Sequence, residues 1–390
     1  MRSDFWEIEI VMIKTKLSNI GKDIYTIISE LAHDSDIINL ARVAPDFSYS
    51  EELDILAAKY IKEKSTEYSH PDGLLELREA ISETISKKHG VNFSPLNEIT
   101  ISAGATQAMY TVISSFVDEG DEVVLFEPAF NSYVPAIQSN GGRPVFVQLK
   151  QPDYRIDWEA VQKLINTRTK LIIINTPHNP TGATFNQEDI AQLKKITNGT
   201  KINVIGDEVF ESMVFDGKKH YSVLSNEQLA ERSIVISSLG ITFNVPGWKI
   251  GYYVASEKLM NQIRKNQLFQ VNSVNTPLQY AMADYLKKGV DYTIINKKFE
   301  EKRDFVIDLL KDSKFEIIPT QGGFYQLLKY SNISEEKDTE FARKIMDEYG
   351  VALFPLSVFY HDSIDNKILG FSFARDENIL REAVKRLKKI

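Results

Sequence analysis

The segment SSLGITFNVPGWKIGY occupies residues 237–252 and follows an apolar run at 234–236. Two serines lead into Gly240, and Gly247 opens a second apolar run after a polar turn. This pattern predicts a strand, a loop and a strand, with glycines where the backbone turns or closely approaches another group. Two hydroxyls and Lys249 also stand where an anion can be held. An ordinary buried hairpin explains the same pattern, and the segment alone slightly favours that simpler interpretation.

The composition predicts a soluble globular protein of two domains. The chain has 390 residues, of which 43% are hydrophobic and 26% charged. A net charge of −8 argues against nucleic acid and anionic membranes as partners. The sequence has no cysteine, which rules out disulfides and thiolate sites. With no signal-peptide pattern and no apolar run of transmembrane length, we expect a cytoplasmic protein.

Short apolar runs alternate with helical patterns after residue 90, which is typical of βαβ units in a mostly parallel α/β sheet. Functional sites in such sheets lie at the carboxyl ends of the strands. We expect an N-terminal arm with part of a small domain at 1–50, a large domain at 51–288, and a smaller α/β domain at 289–390. The expected strands are 98–102, 122–126, 144–149, 170–175, 203–205, 234–237 and 251–255, and the expected helices between them are 106–117, 132–139, 158–165 and 187–197. The region 257–288 is expected to be helical.

Segment 237–252 resembles the SSxGKTxxxxGWKxGY motif of class I aminotransferases, which are pyridoxal phosphate (PLP) enzymes of fold type I. The resemblance covers nearly the whole chain, and segments 127–128 and 273–277 look most like methionine and kynurenine aminotransferases. It implies the fold-type I architecture: a large, cofactor-binding domain whose mostly parallel sheet is flanked by helices, and a smaller α/β domain. It also implies a homodimer with shared sites.

The resemblance assigns a phosphate cup to residues on three segments. Free amides at the positive end of a helix can hold a phosphate, although capped helices after strands are common. Tyr68 matches a tyrosine that reaches the phosphate from the neighbouring subunit. The other matching positions are Gly104, Ala105, Thr106, Ser238 and Lys249.

Four further residues match positions around the cofactor ring. Asn179 matches the hydrogen-bond donor to the 3′-oxygen, and Asn175 lines the same pocket. Asp207 matches the aspartate that keeps the pyridine nitrogen protonated. Phe130 matches the aromatic side chain that stacks on the ring. A tight turn explains the prolines and glycine of segment 175–182 but not both asparagines.

The chain departs from the motif at three reactive positions. Ile241 stands where the family has the Schiff-base lysine, and isoleucine has no amine. Phe210 replaces a tyrosine whose hydroxyl bonds the 3′-oxygen. Gly370 replaces the arginine that clamps the substrate carboxylate. In a softer change, segment 40–47 replaces a glycine-bearing loop of the family, and Val43 is expected to crowd the substrate space.

Two arginines are candidates for a replacement anion anchor. Arg42 is the better candidate, because Arg375 is expected on the surface before the last helix. No histidine spacing favours a metal site.

Three functions fit these observations. The first is an enzyme of altered, non-transaminating chemistry that binds PLP or pyridoxamine phosphate (PMP) non-covalently and acts on a small molecule. The second is a catalytically dead pseudoenzyme that serves as a binding or scaffold protein. The third is an atypical amino-acid aminotransferase with an unrecognised base. Because the phosphate cup, Asp207 and Asn179 remain while three reactive positions change together, we favour the first.

Overall fold

A computed structural model describes residues 16–17, 20–33, 36–42, 44–46 and 50–390. Short 3-10 turns lie at Val223–Ser225, Pro246–Trp248 and Leu356–Phe359. None of the helices in this described part has the length and apolar character needed to cross a membrane. The α-helices are α1 (Ile24–Leu31), α2 (Glu51–Lys64), α3 (Leu75–His89), α4 (Ala105–Phe116), α5 (Tyr133–Ser139), α6 (Trp158–Leu164), α7 (Gln187–Thr197), α8 (Glu227–Ala230), α9 (Leu239–Thr242), α10 (Glu257–Gln270), α11 (Thr276–Lys287), α12 (Tyr292–Leu310), α13 (Asp338–Tyr349) and α14 (Glu377–Leu387).

The strands form a large central sheet and two smaller sheets. The central sheet has the order β2-β8-β7-β6-β5-β3-β4, and the second has the order β12-β13-β10-β9. In the central sheet β8 runs antiparallel to β2 and β7, while the other neighbours are parallel, which confirms the predicted mostly parallel sheet. The strands are β1 (Ile38–Asn39), β2 (Ile99–Ser102), β3 (Glu122–Glu127), β4 (Arg143–Gln148), β5 (Thr169–Asn175), β6 (Asn203–Asp207), β7 (Ser233–Ser238), β8 (Gly251–Ala255), β9 (Glu316–Ile318), β10 (Tyr325–Lys329), β11 (Val351–Ala352), β12 (Phe354–Pro355) and β13 (Ile368–Ser372).

Strand β5 shows why these short runs form a buried parallel sheet. Its residues 171–174 are at most 2% exposed. Leu171 and Ile173 pack into one apolar cluster, whereas Ile172 and Ile174 pack into another on the opposite face. Because helices cover both faces, the strand is apolar without alternation. Its polar last residue, Asn175, therefore marks the edge where the core ends.

Three parts of the chain differ from the sequence expectation. The region predicted as arm and loop contains α1, which begins after Asp23, whose Oδ1 accepts hydrogen bonds from the amides of Tyr25 and Thr26. The region 257–288 is two helices, because Asn275 caps a new helix at the amide of Leu278. The loop of segment 237–252 contains the short helix α9. The domain boundaries and the cytoplasmic location stay predictions.

Gly370 lies in the tightest contact of the second sheet. It sits opposite Phe354 in the β12–β13 ladder. A Cβ atom at Gly370 would lie 2.2 Å from the Phe354 ring. That ring is fully buried, and its centroid is 5.8 Å from Tyr25 and 5.5 Å from Tyr325. The space beside residue 370 is therefore filled by aromatic side chains, and only glycine fits.

We expect Gly370→Ala to lower the free energy of unfolding by about 1–3 kcal/mol, the usual cost of overpacking a core. Gly370→Arg should cost more, because a longer side chain meets the same Phe354 ring. Gly247→Ala is the matched control, since nothing lies within 4 Å of its added Cβ, and it should change stability by less than about 0.5 kcal/mol. Urea denaturation measures all three. A Gly370→Arg protein as stable as the parent would show that the ring moves aside freely.

Candidate active site

A cavity of about 980 Å³ opens at the carboxyl edge of the central sheet. This volume is at the upper end of the about 300–1,000 Å³ usual for small-molecule sites. Ile241, Phe210 and Arg42 belong to its wall, and they leave the cavity open. The predicted cofactor residues in the wall are Ala105, Thr106, Phe130, Asn175, Asn179, Asp207 and Lys249.

Positive charge converges on one end of the cavity, at the start of α4. Gly104 precedes this helix with a φ of 82°. A Cβ there would lie 3.2 Å from Lys249 Nζ, so glycine lets the ammonium approach the helix start. The unpaired amides of the first helical turn and the ammonium group together suit an anion.

Ser238 and Tyr68 lie outside the cavity wall. Ser238 Oγ accepts a hydrogen bond of 3.2 Å from the amide of Ile241 and so caps α9. Tyr68 is 87% exposed on the outer surface of the chain. The fold of one chain thus brings together most of the predicted phosphate cup but not its tyrosine.

Polar side chains from β5 and its following loop form the middle of the site. Asn175 Nδ2 donates to the backbone oxygen of Asp207 at 3.0 Å, and its Oδ1 accepts from the amide of Asn179 at 2.6 Å. Asn179 is 9% exposed, and its Oδ1 has no hydrogen-bond partner in the described structure. A buried polar atom without a partner is rare in folded proteins and indicates a missing ligand group or water.

Asp207 is held as a buried carboxyl group at the end of β6. Burial raises its pKa to about 6, while hydrogen bonds from Tyr133 Oη at 2.6 Å and from the amide of Val209 oppose the rise. Asp207 is therefore suited to pair with a cationic group brought into the cavity. Sequence reasoning missed Tyr133, because its hydroxyl meets Asp207 only through a contact between residues 74 positions apart in the sequence.

Aromatic side chains also belong to the wall, namely Tyr25, Phe130, Tyr133, Phe210, Phe324 and Tyr325. The Phe130 ring meets Tyr133 edge-on at 5.7 Å, and the Phe210 ring meets Phe324 edge-on at 4.9 Å. Among the described wall residues Lys249 is the one lysine, and it lies at the anion end.

Arg375 was predicted to lie on the surface, and this prediction was wrong. Arg375 is only 6% exposed, and its Nη1 atom lies 3.2 Å from Asp46 Oδ2. Its backbone folds inward because its amide bonds the carbonyl of Phe373 and its carbonyl accepts from Lys302 Nζ. The charged stretch before α14 gave no sign of this burial. Val43 lies outside the described residues.

Comparison with known proteins identifies the family. The sequence profile for aminotransferase class I and II matches residues 35–387. The chain belongs to this aminotransferase family. The family implies a PLP cofactor, and the residues present fit one: an anion cup at Lys249, a carboxyl group at Asp207 and a buried amide side chain at Asn179.

Relatives share the whole length of this aminotransferase-family chain. Methionine aminotransferase of Escherichia coli K12 is 38% identical over 378 residues, covering 97% of this chain and 98% of that protein. Kynurenine–oxoglutarate transaminase of Dictyostelium discoideum is 29% identical, with 96% and 95% covered. A crystal structure from Escherichia coli, reported with a methionine aminotransferase function, superposes with a TM-score of 0.94 at 38% identity and covers 97% of this chain and 99% of that one.

A polar cluster lies in the residues that follow Asp207 in this family member. Ligand atoms of Glu208, Glu211 and His220 lie within 4.8 Å of one another, as a metal site would require. Lys88 Nζ lies 3.0 Å from Glu211, and His89 lies 3.2 Å from the same carboxylate. These side chains supply positive charge to Glu211, so we interpret the cluster as an ion-pair network. Because the histidines of this cluster are far apart in the sequence, the sequence did not predict that they lie beside Glu211.

Tyr133→Phe is expected to raise the pKa of Asp207 from about 6 by roughly one pH unit or more. The lost hydrogen bond to the ionised carboxylate contributes about 1.5–3 kcal/mol, and one pKa unit corresponds to about 1.4 kcal/mol. Carboxyl ¹³C NMR of the cofactor-free protein measures the pKa. Tyr154→Phe is the control, because the Tyr154 hydroxyl is buried without a partner. An unchanged Asp207 pKa in Tyr133→Phe would contradict the assigned bond.

Glu211→Gln is expected to lower the free energy of unfolding at pH 7 by about 1–3 kcal/mol, because Lys88 loses its charged partner. Burial alone would raise the pKa of Glu211, but Lys88 and His89 outweigh it and hold the pKa well below the ordinary 4.5. The carboxylate therefore stabilises the fold above about pH 4.5 and loses this effect as the pH falls.

Urea denaturation of Glu211→Gln at pH 7, 5 and 4 tests this contribution. The variant should lose less stability than the parent between pH 5 and 4. Glu79→Gln, an exposed change on α3, should leave both the stability and its pH dependence as in the parent. A Glu211→Gln protein with the parental pH profile would show that the network contributes nothing.

Proposed function

We propose that this chain binds PLP or PMP non-covalently in the cavity and acts on a small molecule by chemistry other than ordinary transamination. The cavity itself supports this proposal most. It has a volume of about 980 Å³, its wall contains Asp207 and Lys249 of the anion cup, and residue 241 of the same wall is an isoleucine.

The proposed roles follow the positions of the side chains. Lys249 and the amides of Ala105 and Thr106 would bind the phosphate. Gly104 would leave room for this approach, and the Ser238 hydroxyl would turn from the start of α9 toward the phosphate. The carboxylate of Asp207 would hold the proton on the ring nitrogen, and its raised pKa makes this pairing weaken below about pH 6. Phe130 would cover one ring face, while Asn175 orients Asn179 toward the 3′-oxygen. Bound in this way, the ring supplies an electron sink.

The proposed change in chemistry rests on position 241, where the family motif has a lysine and this chain has Ile241. Isoleucine has neither an amine to link the cofactor nor a base to move a proton. A positioned acid–base group typically contributes about 10²–10⁴-fold to a rate, so any transamination should be slower by that order. Phe210 fits the same conclusion, because its ring packs on Phe324 and offers no hydroxyl.

We further propose a homodimer in which Tyr68 of each chain completes the partner's phosphate cup. Two aromatic residues, Tyr68 and Phe269, are 87% and 88% exposed in one chain. In this dimer the exposed Tyr68 ring would leave solvent and enter the partner's cavity. The division into domains at 51–288 and 289–390 belongs to the same proposal.

The second candidate is an atypical amino-acid aminotransferase, and the 38% identity to methionine aminotransferase over 97% of the chain favours it. In that case a lysine outside the described wall must reach the cofactor. The two candidates differ in one observable property, the covalent state of bound PLP.

We expect purified protein mixed with PLP to retain a visible chromophore that borohydride does not fix to the polypeptide. Absorption spectra and intact mass before and after reduction measure this. Mass gain at a lysine would overturn the proposal in favour of the atypical aminotransferase. No retained chromophore would overturn PLP binding altogether.

Ile241→Lys is expected to create a covalent PLP site, because residue 241 already lies in the cavity wall. After reduction, its mass should increase by one cofactor, located by peptide mapping to residue 241. Ile241→Met is the matched control, since it has similar length and no amine. A folded Ile241→Lys protein that binds no PLP would show that the cup is not a PLP site.

A further inference from the structure

We propose that Arg42, supported from behind by Arg375, anchors the anionic group, a carboxylate or a phosphate, of a small ligand that enters the cavity beside the cofactor. This rests on the proposed function and names the class of ligand: an anion with an apolar or aromatic body.

Arg42 offers an unpaired positive charge in the cavity wall. Its side chain has no hydrogen bond or ion pair with any other residue that the structure describes. The acidic wall residues of α1 and its cap are engaged elsewhere: Asp23 accepts hydrogen bonds from the amide and hydroxyl of Thr26, and Glu30 pairs with Lys22 at 2.8 Å. A planar guanidinium with free donors matches the geometry of a carboxylate or phosphate.

Arg375 places a second positive charge beside the first. It is 6% exposed, its Nη1 atom pairs with Asp46 Oδ2 at 3.2 Å, and its Nε atom is buried without a hydrogen-bond acceptor among the described residues. Burial lowers its pKa, Asp46 raises it, and the nearby Arg42 lowers it further. Arg375 is buried and pairs with Asp46, whereas Arg42 is exposed and has no ion-pair partner among the described residues, so the two guanidinium groups together carry an excess positive charge. An anion at Arg42 neutralises that excess.

Backbone bonds fix the segment that carries Arg42 to the strand that leads to Arg375. The amide of Ser372 donates to the carbonyl of Leu40 at 2.8 Å, and the amide of Asp46 donates to Ala374 at 3.3 Å. The Arg375–Asp46 ion pair closes the same connection. Arg375 is therefore a positioning residue, which acts on the ligand through Arg42 and through its own charge.

The aromatic side of the cavity defines the body of the ligand. Tyr25 and Tyr325 lie in the wall, and both rings pack against Phe354. Because Phe354 fills the space beside Gly370, a side chain on residue 370 has no room there. Arg42 is the one arginine in the described wall, so the proposal places the anion at Arg42 and the apolar groups against the tyrosines.

Calorimetric titration tests the anchor with 3-phenylpropionate, its amide 3-phenylpropionamide, and inorganic phosphate. We expect the carboxylate to bind at least about tenfold more tightly than the amide, since a charged hydrogen bond contributes about 1.5–3 kcal/mol. Arg42→Gln should remove this preference. Arg375→Gln should reduce it about threefold or more, and Arg375→Lys should restore part of it. Arg343→Gln, an exposed arginine on α13, should leave it unchanged.

Equal binding of acid and amide by the parent protein would overturn the anchor. An unchanged preference in Arg42→Gln would do the same. If Arg375→Gln lowers the melting temperature but keeps the preference, Arg375 is only structural and its share of the proposal is wrong. If phosphate binding weakens in Arg42→Gln, the group held at Arg42 is a phosphate. If it weakens only in Lys249→Gln, phosphate binds at the cup instead, and the group held at Arg42 is a carboxylate.

The titrations are run with and without PLP, and the PLP dissociation constant is measured for each variant. Arg42→Gln should leave that constant within about twofold of the parent. A parent protein that ignores PLP but prefers the carboxylate refutes the proposed function and supports the anchor. A parent that binds PLP but shows no preference supports the function and refutes the anchor.

Discussion

The burial of one carboxyl group organises this site. Asp207 ends β6 where the apolar core stops, and there it receives a 2.6 Å hydrogen bond from Tyr133. Taking a carboxylate out of water is costly unless partners compensate it. The protein compensates only partly, since the pKa stays raised at about 6. Because the cost of burying this carboxylate is only partly compensated, a cation in the cavity would stabilise it. At the other end, Lys249 and the start of the helix after Gly104 would stabilise an anion. A ligand with both features relieves both.

The sequence predicted the central part of this arrangement well. Alternating apolar runs placed the strands of the parallel sheet within about two residues, because strands buried on both faces must be continuously apolar. Asn175 and Asp207, predicted as site residues from separate segments, are neighbours in the β5–β6 register. The motif resemblance to aminotransferases agreed with a profile match over residues 35–387.

What the sequence did not predict depends on long-range contacts. The burial of Arg375 follows from Asp46, more than three hundred residues earlier in the chain. The cluster at Glu211 joins α3 to the segment after β6, and no local pattern connects Lys88 with His220. Helix α1 has only 8 residues, so its periodicity was too short to stand out from a loop. Tyr133 looked like one aromatic residue among many until the fold placed its hydroxyl on Asp207.

The contact between Gly370 and Phe354 also limits which single substitutions this fold tolerates. An arginine at position 370 would need the space that the buried ring occupies, 2.2 Å from the first added carbon. Loss of the ring alone opens a void in an aromatic core, which typically costs about 3–5 kcal/mol. Either step taken first passes through a weakened fold. Positions 354 and 370 are therefore interdependent: a long side chain at 370 requires a smaller one at 354, so neither residue can be exchanged alone without loss of packing.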